Sequence, residues 1–300
     1  MEELPRVHFV FASHVDDKTA KVLMPVLKSL RGKISFIGVE LSGVSTKRKK
    51  ELEDRLRVGS GGDEHDRAIS KLAREYSVPI KILEVARSRQ RKKIARLGNK
   101  RFPKGFPNYL HEMSFETALK YQKDGVYKNF NRYMARHQEV IRNLKKELKA
   151  NPTKTPVVTY GTFHKGLDKY AELKLGVKTE RTCEEEPFTL IHEDIMEQML
   201  SQGKAKLSIA HAARIALEDL LQLSPIARIN REKYDANPMD ENAARYYVKL
   251  NQIKDEISRK NATQIQLAWQ KLRATSQKLG DTWQKRYENI DQAHELVKSI

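Results

Sequence analysis

Cysteine is nearly missing from this sequence: Cys183 is the only one in 300 residues, which excludes intrachain disulfides and cysteine-built zinc sites alike. Any metal ion has to be held by histidine and carboxylate. Long apolar runs are missing too, none approaching the eighteen or so residues that a membrane-crossing helix needs. The opening MEELPRVHFVFAS puts its acidic residues first, not the basic-then-apolar layout of a secretory signal. These absences predict a soluble, cytoplasmic protein. No tandem repeat at solenoid spacing is found. Acidic residues are scarce in one place above all: between Lys81 and Lys104 there are ten basic residues and a single acid, Glu84.

What is present is apolar residue enough for a core, 39%, and a net charge of +18. Such a charge exceeds the needs of solubility and points to an anionic partner. The strongest anion-binding candidates are Arg87, Arg89, Arg91, Lys92, Lys93 and Arg96. Aromatic residues do not interleave with them until Phe102 and Phe106, so stacking on exposed bases is not indicated.

Periodicity predicts alternating strands and helices. RVHFVFA (6–12), KISFIGVEL (33–41), VPIKILEV (78–85) and the run from Val157 read as strands. The stretch 16–30 reads as a helix interrupted at Pro25, 67–76 as a second, and 114–122 and 128–149 as two more. The predicted fold class is α/β, a central β-sheet flanked by helices, in residues 1–186, with a basic insertion near 81–108. Beyond Pro187 only helical patterns remain, an all-helical C-terminal extension over 187–300.

Two turns look alike. His14 follows RVHFVFAS and His164 follows TPVVTYGTF, each a histidine just past an apolar strand and before a helix. If the strands are neighbours, both histidines reach one edge of the sheet. Glu40 ends the apolar run ISFIGVE, where a carboxylate is costly unless paired, solvated or ligating. Two imidazoles and a carboxylate are a suitable donor set for a divalent ion such as Zn, Mn or Co.

Four segments, FASH (11–14), GVEL (38–41), NRYMARH (131–137) and GTFHKGL (161–167), resemble in order and spacing the motifs of the superfamily that includes TraB/PrgY, the Tiki metalloproteases, the haem-binding ChaN proteins and the erythromycin esterases. Phe11 stands where that pattern prefers glycine. The resemblance covers residues 6–182 and implies a hydrolase of a peptide or ester bond, metal-dependent in the first reading and metal-independent in the alternative. In a Tiki-like version His14, His164 and Glu40 hold a metal ion that acidifies its bound water. In an esterase-like version Glu40 or His14 is a general base acting on water directly, and Arg132 binds an anion or a developing oxyanion. His111 and Glu112 lack the second histidine of a zincin helix and are read as ordinary loop residues. The non-catalytic alternatives are a nucleic-acid binder using residues 81–104, or a binder of a haem-like ligand, for which Tyr160 is the hint.

Overall fold

The computed structural model describes residues 4–13, 18–41, 44–60, 64–86, 92, 96, 113–184, 188–221, 241–276 and 290–299. Five strands form one parallel sheet: β1 (Arg6–Phe11), β2 (Ile34–Val39), β4 (Ile80–Ile82), β6 (Thr155–Tyr160) and β7 (Lys178–Cys183), in the order β4-β2-β6-β1-β7. The pairing is parallel throughout, with Phe11 opposite Tyr160 and Val39 opposite Thr159. Strand β6 therefore lies between β1 and β2. The segments bearing the FASH, GVEL and GTFH motifs are immediate neighbours, and all end at the same edge. In parallel α/β sheets that edge is where loops converge on ligands.

Why these residues make a parallel sheet follows from their burial. Val7, Phe9, Val10, Phe11, Ile37, Val157, Val158 and Tyr160 are all essentially inaccessible. Near-continuous apolar strands of this kind require a cover on both faces. One cover is α1 (Lys18–Ser29) and α3 (Glu64–Glu75), whose Leu23, Leu27, Ile69 and Leu72 join Val10, Ile37 and Val157 in one cluster. Pro25 lies inside α1, which continues past it without a restart; the buried Leu23, Val26 and Leu27 outweigh the one hydrogen bond the proline removes. At the open edge of the sheet, Glu53 of α2 (Lys49–Val58) accepts from Ile82 N–H at 2.8 Å.

Two expectations change. The predicted strand 78–85 is broken: β4 stops at Ile82, and β5 (Val85–Ala86) pairs instead with β3 (Val44–Ser45) in a separate two-stranded sheet. The carbonyls at the break are taken by a helix, Asn143 donating to Leu83 O at 2.8 Å and Arg142 to Val85 O at 3.1 Å. The second change is that helix. Phe115–Ala150 is one element of 36 residues, α4, running through Gly125, whose intrinsic cost of about 1 kcal/mol does not interrupt it.

The remaining elements are α5 (Leu167–Leu175), α6 (Ile191–Gln202), α7 (Ile209–Leu220), α8 (Glu241–Arg259), α9 (Ala262–Ser276) and α10 (Ile290–Lys298). A reciprocal cap separates α8 from α9: Asn261 Oδ1 accepts from Gln264 N–H, and Gln264 Oε1 from Asn261 N–H. The chain divides into two compact units, one of Met1–Lys100, Lys128–Glu185 and Glu197–Ala205, the other of Arg101–Tyr127, Glu186–Met196 and Lys206–Ile300. The sequence reading put a single boundary after residue 186. In the second unit Trp269 is buried beside Phe115 and donates to Met113 O at 3.4 Å. Leu267, two positions before Trp269 on α9, is exposed. Among the described residues no helix is long and apolar enough to cross a membrane.

Candidate functional site

At the carboxyl edge of the sheet a chain of polar side chains runs from the interior toward the surface. Glu40 follows β2 directly. Its Oε1 accepts from Arg136 Nη2 at 2.6 Å and lies 3.0 Å from His164 Nε2, while its Oε2 accepts from the Gly161 backbone N–H at 2.9 Å. Arg136 turns its remaining hydrogen-bonding edge to Glu84, Nε donating to Oε1 and Nη2 to Oε2, both at 2.8 Å. Behind His164, His137 Nε2 stands 2.9 Å from His164 Nδ1. His137, His164, Arg136 and Glu84 are buried; the Glu40 side chain keeps 14% of its surface open.

Local sequence explains each placement. Parallel pairing of β2 with β4 brings the residues after Val39 and Ile82 together, so the breaks after the two strands deliver Glu40 and Glu84 to one guanidinium. Gly38 is needed for this approach, since a Cβ there would stand 2.6 Å from Leu83 Cδ1. Arg136 and His137 are consecutive on α4, about 100° apart around the helix, which lets one turn address Glu40 and His164 together. His164 ends a short 3-10 turn, Thr162–His164, closed by His164 N–H donating to Gly161 O. Tyr133 and Tyr160 meet its ring at 5.0 and 5.1 Å between centroids, both close to edge-on. The chain then passes through Gly166 at φ 95°, where a Cβ would be 2.7 Å from Glu197 O; only glycine combines that conformation with so close a contact to α6.

The electrostatics follow from burial and pairing. Burial alone weakens the hold of Arg136 on its proton, but Glu84 and Glu40 reverse this and keep the guanidinium firmly charged. Burial, reinforced by His164 and Arg136, holds the His137 imidazole well below its ordinary pKa, so it is neutral. The Tyr160 phenol is pushed well above its usual range by burial and by the nearby Glu84 and Glu40. That environment opposes the tyrosinate an axial haem ligand would need.

Of the predicted site residues, the structure brings Glu40 and His164 into contact. His14 lies outside the described residues, as do Arg87, Arg89, Arg91, His111 and Glu112; nothing of the Lys93 side chain is described either. Lys92 and Arg96 are described and exposed. Arg132, the predicted anion-binding arginine, is exposed, and Arg136, one turn further along α4, is the arginine in the cluster. The motif match in NRYMARH selects its first arginine, whereas the second is the one that α4 brings to Glu40 and Glu84. Sequence reasoning also passed over Glu84 and His137. A signal for Glu84 existed, a lone acid among ten bases, closing IKILE as Glu40 closes ISFIGVE. Phe11, where the family pattern prefers glycine, is fully buried with Arg181 over its ring at 5.4 Å.

Among the described residues, which leave out His14, no group of three His, Cys, Asp or Glu side chains is placed to hold a metal ion. Both nitrogens of His164 already face protein partners, and Glu40 Oε1 is shared between His164 and Arg136. Compared with known proteins, the chain matches no family model, no curated protein and no solved structure.

Proposed function

We propose that the protein is a hydrolase of a peptide or ester bond, of the Tiki, TraB and erythromycin esterase type, with Glu40 as a general base acting directly on water and residues 206–300 as a helical addition to that fold. The observation that carries the reading is the hold on Glu40: among the described residues the Arg136 guanidinium and the Gly161 N–H bond to it and the His164 imidazole stands against it, fixing a partly open carboxylate at the carboxyl edge of a parallel sheet. A base pre-set in this way spends no free energy on orientation during the reaction. Glu40 takes a proton from water as the water oxygen bonds to the substrate carbonyl carbon. The same proton then goes to the leaving nitrogen or oxygen as the carbonyl–leaving-group bond breaks. Sharing Arg136 with Glu84 divides the guanidinium's hold on Glu40 and leaves the carboxylate able to accept that proton, with His164 beside it. Phe163 is 62% exposed beside the buried His164 and offers an apolar surface to the substrate.

The test is hydrolysis of peptide and ester panels by the full chain in the presence of chelator. Glu40→Gln is expected to lose about 100-fold or more, the usual worth of a positioned base; equal rates for variant and parent, or no hydrolysis by the parent, overturn the reading. One distance favours a second reading. Two donors on a tetrahedral zinc ion stand about 3.3–3.5 Å apart, and His164 Nε2 and Glu40 Oε1 converge to 3.0 Å, close to that spacing. Activity abolished by chelator and restored by Zn, Mn or Co selects that version.

A further inference from the structure

We infer that the outer face of α4, from Arg132 to Lys149, docks the phosphate backbone of duplex DNA, without regard to base sequence and independently of any hydrolytic reaction. Along this stretch the helix sorts its charges by sign. Of the eight exposed positions between Asn131 and Ala150, five carry a cation, Arg132, Arg142, Lys145, Lys146 and Lys149, and none carries an acid. The two acids of the stretch are turned inward. Glu139 is buried and pairs with Arg142, which also donates to Val85 O. Glu147 is half-buried, its Oε1 3.6 Å from Lys49 Nζ and its Oε2 3.9 Å from Lys81 Nζ. Among the described residues no acid forms an ion pair with Lys145, Lys146 or Lys149.

That sorting has an energetic cost. Arg142, Lys145, Lys146 and Lys149 stand at i, i+3, i+4 and i+7, so each faces two like charges one turn away, and each such pair costs about 0.2–0.5 kcal/mol. Glu139 offsets Arg142; the lysines have no such offset. A face kept for solubility alone would intersperse acids with bases and gain from the same spacing. An anionic partner lying along the helix relieves the repulsion instead.

The spacing and the missing side chains select the partner. From Arg142 to Lys149 the helix rises about 10.5 Å, so the four cations succeed one another every 3.5 Å or about that, close to the roughly 3.4 Å of axis per phosphate on one strand of B-form DNA. A membrane surface calls for large apolar side chains among the bases, and single-stranded nucleic acid for aromatic rings to stack on. The exposed positions hold neither. The contact of Lys49 with Glu147 also brings the start of α2 beside this end of α4. Lys47 and Lys50, on either side of Lys49 in the chain, are exposed, while the exposed acids of α2, Glu51 and Asp54, are matched by Arg48 and Arg57.

The experiment is fluorescence anisotropy of a labelled mixed-sequence duplex DNA of about 20 base pairs, titrated with the full-length protein between about 0.05 and 0.2 M salt. Two variants of equal net charge are compared with the parent. One carries Lys145→Gln, Lys146→Gln and Lys149→Gln; the other carries Lys169→Gln, Lys174→Gln and Lys178→Gln, exposed on α5 and on β7 at the far edge of the sheet. The first is expected to bind on the order of 100-fold more weakly at about 0.1 M salt, with the log–log salt slope reduced by about 2.7, three phosphate contacts at about 0.9 each. The second is expected to stay within about 3-fold of the parent, because charges so far from the contact are screened. An equal loss in both variants would reduce the effect to net charge and overturn the inference. So would a parent that binds no duplex DNA, or one that binds phosphatidylserine vesicles or duplex RNA as tightly.

Discussion

Each compact unit pairs a buried carboxylate with a half-buried one, and the two units handle the charge in opposite ways. In the sheet unit Glu40 and Glu84 come from different strands and share one guanidinium, with every contact at hydrogen-bond distance. In the helical unit Glu218 and Asp219 are consecutive on α7. Glu218 accepts from the backbone N–H groups of Ile191 and His192 at the start of α6, and Asp219 from the Gln122 amide at 2.6 Å. Among the described residues no cation forms an ion pair with either acid, though Lys254 acts on Glu218 from further off. Burial accordingly pushes Glu218 up to about 8, with Asp219 adding to the rise, and Asp219 itself up to about 6. Glu218 closes the start of α6 with its proton held more tightly than usual, and Asp219 is held by the Gln122 amide. The first pair remains a charged network at a sheet edge with one member partly open, as a reactive carboxylate has to be. Buried acid by itself is therefore no mark of function; the cation and the open face make the distinction.

The most severe way to break the contrast is Arg136→Met. Removing the shared guanidinium leaves two carboxylates facing each other in a buried site, a loss of about 3–5 kcal/mol of folding stability, read by urea denaturation. Replacing an acid separates the pairs further. Glu218→Gln keeps an oxygen for the α6 N–H groups and deletes the titration. The sign is set by linkage: with the folded-state pKa raised above the unfolded one, the native protein holds a proton that the unfolded chain releases between about pH 4.5 and 8. Parent stability therefore falls as pH rises through that window. Glu218→Gln should lack this slope and gain on the order of 2–3 kcal/mol over the parent between pH 5 and pH 8, measured by denaturation at each pH. A parallel slope in both proteins would show that Glu218 is ionised in the fold. Smallest is Arg132→Ala, expected to stay within about 0.5 kcal/mol of the parent with unchanged hydrolysis, in the same assays that separate Arg136→Met.

Much of the arrangement was legible in the sequence because it depends on strands. Strand periodicity located β1, β2 and β6, and a carboxylate closing an apolar run identified Glu40. The histidine after GTF fell where a strand-to-helix turn leaves it. What the sequence hid depends on where a long helix meets the sheet. In a helix as basic as α4, with Lys128, Arg132, Arg136, Arg142, Lys145 and Lys146, composition does not distinguish a solvated arginine from a buried one. A single helical turn, about 5.4 Å, separates Arg132 from Arg136. Glu84 was hidden for a different reason. VPIKILEV reads as an unbroken strand, and the break after Ile82 is made by Asn143 and Arg142 from sixty residues away, which no local pattern records. His137 stood inside a segment already quoted for its methionine and arginine.

The most direct measurement is a crystal structure of the protein grown with zinc and manganese, with diffraction recorded on both sides of each absorption edge. The account predicts His164 Nε2 and Arg136 Nη2 both within hydrogen-bond distance of Glu40, and no anomalous scatterer between His164 and Glu40. An ion bridging those two side chains, or the two pointing into separate pockets, would contradict it.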